Sequence, residues 1–61
     1  MNYYLVMYGG QFRMKAARDR VDACRKTFGM VSDRMRVSDL GRNKKEAFKK
    51  ALEIQERKEG H

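Results

Sequence analysis

The chain has 61 residues, with 15 Lys and Arg against 8 Asp and Glu, one Cys, one His and no Pro. That length restricts it to one small domain (1–61) with a marginal core, and a lone Cys24 excludes an internal disulfide framework. Cys24 and His61 are too few for a four-ligand structural zinc, and no run nears the about 20 apolar residues of a membrane span.

Asn2 to Tyr8 is rich in β-forming residues and ends at Gly9-Gly10, which predicts a strand and a turn. Tyr3, Leu5 and Met7 share one face, and Tyr4, Val6 and Tyr8 the other. Both faces are apolar, so the strand is expected to be covered on both sides or paired with another copy. Gln11 to Met14 either returns as a short second strand through a Gly9-Gly10 hairpin turn or leads straight into a helix.

Met14, Ala17, Val21, Cys24 and Phe28 recur at spacings of 3, 4, 3 and 4, which predicts an amphipathic helix over 14–28. Gly29 suits its C-cap, and Arg25 and Lys26 suit the negative end of its dipole. Val31, Met35 and Val37 fall on alternate positions, the period of a strand over 30–37, although Ser32 could instead cap a short helix, or the first stripe could continue through Val31 and Met35 as one longer helix; Ser38-Asp39-Leu40-Gly41 has turn chemistry. Asn43 followed by Glu46 is a capping-box variant. It starts a helix whose apolar face is Ala47, Phe48, Ala51, Leu52 and Gln55, with Ile54 on its edge, running to about Lys58 and ending at Gly60.

The charge is unevenly placed. Residues 1–12 have none, residues 13–50 hold 13 basic against 5 acidic side chains, and residues 51–61 are slightly acidic. One basic cluster is Arg13, Lys15, Arg18, Arg20, Arg25 and Lys26, with Lys15, Arg18 and Arg25 on the solvent face of the expected first helix. The other is Arg42, Lys44, Lys45, Lys49 and Lys50, around a helix N-terminus whose free N–H groups already favour phosphate. An excess of one sign in so short a chain points to a polyanion, nucleic acid above all. Charged helix faces also serve solvation alone.

Catalysis has no residue set to rest on. There is no Ser/His/Asp arrangement, Cys24 lies on the apolar stripe where burial makes a thiol inert, and Asp19 and Asp22 alternate with arginines, as in surface ion pairs. We therefore expect no enzyme, no cofactor and no metal. Tyr3, Tyr4, Val6 and Tyr8 are expected at a core or protein interface rather than stacked on bases, because their strand has no basic residue.

Gly41-Arg42-Asn43-Lys44-Lys45-Glu46-Ala47 resembles the start of the last helix of double-stranded-RNA-binding domains, where a Lys-rich run grips phosphates. Lys44, Lys45 and Ala47 match; Phe48 stands where that family has its third Lys, and this chain opens with a strand instead of a helix. Gly29-Met30-Val31-Ser32 with Val37-Ser38 is similar to the turn and recognition helix of helix-turn-helix repressors, with the spacing off by one residue and Arg25 at the usual small position. Neither likeness covers enough residues to name a family.

The expected fold class is α+β: an N-terminal β-strand or hairpin packed on two amphipathic helices, with room for a short strand between them. The expected function is a small non-enzymatic nucleic-acid-binding or regulatory protein, its phosphate contacts made by Arg13, Lys15, Arg18, Arg25, Arg42, Lys44, Lys45 and Lys49 gathered into one positive surface. The alternative is an interaction protein of the kind phages and mobile elements encode, one that binds and inhibits or redirects a host protein through an acidic surface. A reducing, cytoplasmic setting fits the free thiol and the lack of a signal-like start. A homodimer would supply the stabilisation that so small a core lacks.

Overall fold

Apolar residues at both parities make Asn2–Tyr8 suited to burial on two faces, and it is the middle strand, β1, of a three-stranded sheet. The structure is a computed structural model and describes residues 1–59; the expected stop at Gly60, and His61, lie outside the described residues. Gly9 and Gly10 have φ of +57° and +77°, the positive signs that a two-residue type I′ hairpin turn needs. The chain returns as β2, Gln11–Ala17, in antiparallel register from Tyr8↔Gln11 to Asn2↔Ala17. After a helix and a loop, β3, Arg36–Gly41, pairs antiparallel with the other side of β1, giving the order β2-β1-β3.

The first helix, α1 (Arg20–Phe28), packs on one face of the sheet, and α2 (Lys44–Glu59) packs on the other. The parity of β1 divides the core between them. Tyr4 and Val6 meet Ala23 and Cys24 of α1, together with Ala17 and Met35. Leu5 meets Leu40, Ala47 and Ala51, with Tyr3, Met7, Phe12, Met14 and Ile54 partly buried around them. Leu5 and Val6 are 1% and 0% exposed, and such burial is worth about 1.5–3 kcal/mol per side chain. Alanine at 23, 47 and 51 lets both helices lie close to the sheet.

The α+β class holds, but the arrangement of an N-terminal hairpin packed on two helices does not. β3 is a six-residue member of the sheet, and the strand expected to pack as part of a hairpin is its centre. The helix expected over 14–28 is also corrected. Residues 11–17 alternate Phe12, Met14 and Ala16 on one face with Arg13, Lys15 and Ala17 on the other, and they pair with β1. The apparent helical stripe runs together two strand residues, Met14 and Ala17, with the helix proper.

Asp19 starts α1 as its N-cap, its Oδ1 accepting from the Asp22 N–H at 2.8 Å, and Gly29 ends it at φ +73°. The Ser38–Gly41 turn is corrected to strand, yet its turn chemistry is used. The register shifts between Tyr3 and Tyr4, so Leu40 is an extra residue, and Asp39 Oδ1 accepts from the Gly41 N–H at 2.9 Å. The strand expected over 30–37 begins instead at Arg36, with Val31 exposed and Met35 buried ahead of it. On α2 the inward face is Ala47, Ala51 and Ile54; Phe48 and Leu52 are on the flank, 57% and 44% exposed.

Candidate nucleic-acid interface

The connectivity decides where the basic side chains go. β2 ends at Ala17 opposite Asn2, and β3 ends at Gly41 opposite Tyr3, so both chains leave the sheet at the same end. α1 and α2 therefore start there, on opposite faces, and each runs back along the sheet. Arg18 and Arg20 stand at the first helix start, and Arg42, Lys44 and Lys45 at the second.

The two helix starts differ electrostatically. At α1 the protein's own carboxylates stand at the helix start: the Asp19 cap accepts from the Asp22 N–H, and Asp22 Oδ2 accepts from the N–H of Arg18, just before the helix, at 3.1 Å. That backbone donor, with Lys26 3.3 Å away, holds the Asp22 carboxyl below its usual range. At α2 the cap is the neutral Asn43, whose Oδ1 accepts from the Glu46 N–H at 3.1 Å. Arg42, Lys44 and Lys45 are exposed there, and the one ion pair among the described residues is Lys26–Asp22. Positive dipole end and unpaired cations coincide at α2.

The other expected contact residues are dispersed. Arg13 is committed to the fold: its Nη1 donates to the Thr27 carbonyl at 2.7 Å, its Nη2 to Gln11 Oε1 at 2.8 Å, and its guanidinium sits 4.4 Å from the Phe28 ring centroid. It satisfies a last-turn carbonyl of α1 and ties that helix to β2. Lys15 is exposed on the α1 side of β2, Arg25 is in the last turn of α1, and Lys49 is one turn into α2. The shared helix face expected for Lys15, Arg18 and Arg25 does not exist, because the first is in a strand and the second precedes the helix. The helices are separated by the sheet, so the basic clusters approach each other only at its end.

Of the aromatic strand residues, Tyr4 and Val6 are core, at 6% and 0% exposure, while Tyr3 and Tyr8 are half-buried. Tyr8 stacks edge-on against Phe28, with centroids 5.5 Å apart. Two arginines outside the expected set stand by a surface feature. Arg34 and Arg36 line a shallow depression of about 230 Å³ with Tyr8, Gly9, Gly10 and Phe12, at the hairpin end of the sheet. Their signal in the sequence is hidden in 30–37, where strand and helix readings compete. No helix among the described residues is long and apolar enough to cross a membrane. No family model, curated protein or solved structure matches the chain.

Proposed function

We propose that this chain is a small non-enzymatic nucleic-acid-binding protein whose principal phosphate contacts are made at the start of α2. The observation that supports it is the coincidence at one end of the sheet of two helix starts, one of them capped only by Asn43 and surrounded by Arg42, Lys44 and Lys45. Arg18 and Arg20 extend this end on the opposite face. Arg20 also has a structural duty, its Nη1 donating to the Val37 carbonyl at 3.0 Å. Phosphate contacts of this kind position a duplex or strand without reading its sequence.

The test is the salt dependence of affinity. Each phosphate contact on duplex DNA contributes about 0.9 to the slope of log K against log salt. Replacing Arg42, Lys44 and Lys45 with Ala should flatten that slope by about 2–3, while Arg34→Ala with Arg36→Ala, at the far end, leaves it unchanged. A wild-type affinity that hardly responds to salt, or equal losses from both sets, overturns the assignment.

A second reading is favoured by one specific observation. Phe48 and Leu52 are exposed one turn apart beside the basic start of α2, and phosphate contact makes no use of them. A protein partner with an acidic surface, which this chain would inhibit or redirect, would cover them.

A further inference from the structure

The two edges of the sheet are not alike. In a two-residue hairpin the residues flanking the turn, Tyr8 and Gln11, exchange hydrogen bonds. Arg13, Lys15 and Ala17 therefore bond inward to β1, and the N–H and C=O groups of Phe12, Met14 and Ala16 point outward. The β3 edge is protected: Arg20 takes the outward Val37 carbonyl, and the bulge at Leu40 breaks the line of donors and acceptors. The β2 edge has neither device among the described residues. It is a seven-residue strand in unbroken register with β1.

The side chains along that edge select what can pair with it. On the α1 side stand Arg13 and Lys15. On the α2 side Phe12 and Met14 are only half-buried, because α2 lies mainly over β3. Half-buried apolar side chains thus line the open edge on one face of the sheet, and basic ones stand on the other.

A second copy of this chain does not suit the edge. Pairing Met14 with Met14 of another copy sets Arg13 against its Lys15 on each side. Sliding the register either way sets Arg13 against Arg13 or Lys15 against Lys15. Like charges directly opposite destabilise a strand pair, and each copy also carries a net charge of +7. The complement is a strand with acids on one parity and apolar residues on the other.

We propose that the free edge of β2 is a strand-addition site for an extended segment of another protein that alternates acidic and apolar side chains, with the acids on the Lys15 side of the sheet and the apolar residues on the side of Phe12 and Met14. Backbone pairing supplies affinity and the alternating side chains supply selectivity. The site is independent of the phosphate contacts assigned to the start of α2.

The probe is a seven-residue peptide alternating Val and Glu, N-methylated at its Glu residues, whose N–H groups point away from β2 and would otherwise let the peptide pair with itself. At about nine-tenths occupancy, amide exchange at Phe12, Met14 and Ala16 should slow about tenfold. The corresponding Val/Lys peptide should have no effect, and Lys15→Glu should weaken the acidic peptide and admit the basic one. Met14→Pro removes an outward N–H without touching the ladder; it should abolish binding while α2 amides keep their protection. No slowing at the β2 amides, equal effects of both peptides, or β2 protection that rises with protein concentration before any peptide is added each overturn the proposal, the last by seating a second copy on the edge.

Discussion

Asp39 shows how one exposed carboxylate can hold a local geometry. Its Oδ1 accepts from the Gly41 N–H, and both carboxylate oxygens accept from Asn2 Nδ2 at 3.1 Å. The Gly41 amide, then Asn2, hold its carboxyl below the ordinary value of 3.8. A lowered carboxyl pKa means that the unfolded chain binds the proton first as pH falls. The stabilisation is therefore complete above about pH 4, declines as pH falls through the lowered value, and is gone below it. Asp39→Asn keeps an acceptor but cannot titrate. We expect the melting temperature of the variant to fall less steeply between about pH 4 and pH 2 than that of the wild type. Parallel curves in thermal melts over that range would remove Asp39 from the acid response. The same carboxylate fixes the bulge at Leu40, which turns that side chain toward Leu5 and α2. The residue thus links a turn-forming sequence to the packing of a layer.

At the scale of elements, the hairpin is the feature most open to a single change. Gly9 and Gly10 both have positive φ, and a Cβ built on either meets nothing within 4 Å, so backbone strain alone decides the cost of substitution. Gly10→Ala should destabilise by about 1–2 kcal/mol, measured by denaturant titration, and Gly9→Asn by less, because Asn enters this region more readily. Equal stability of Gly10→Ala and wild type would mean the turn relaxes to another type. Much of this element plan was legible before any coordinates. β1, the Gly-Gly turn, the Asn43 cap and the burial of Cys24 follow from local chemistry. What was not legible depended on partners distant in the chain. Met14 and Ala17 fit a helical stripe until β1 offers them a ladder. Ser38-Asp39-Leu40-Gly41 has turn chemistry that only pairing with Tyr3 and Tyr4 converts into a bulge. Likewise Phe48 and Leu52 have the spacing of a buried face, and they are displaced from it because the smaller Ala47 and Ala51 let the helix approach Leu5 and Leu40 more closely. The candidate site was legible as residue types, and its division between two faces was not, because that follows from the connectivity that starts α1 and α2 on opposite faces of the sheet.

For the whole molecule, the consequence of three layers in 61 residues is that neither helix has a core of its own. Each helix buries two alanines, or an alanine and a cysteine, and depends on the side chains that β1 sends to its face. Stability by size is about 3–9 kcal/mol for such a chain, while Leu5→Ala or Val6→Ala removes about 1–5 kcal/mol. Either substitution should therefore be felt on both faces, since losing one layer exposes the strand on which the other rests. Native-state hydrogen exchange separates this from independent layers. In the wild type, the slowest amides of β1, α1 and α2 should report opening energies within about 0.5 kcal/mol of one another, the mark of one cooperative unit. In Val6→Ala, whose deleted methyls face only α1, the protection of α2 amides should fall as far as that of α1 amides. If α2 keeps its wild-type protection while α1 loses its own, the two faces unfold separately, and the β2 edge and the basic end would then belong to different units.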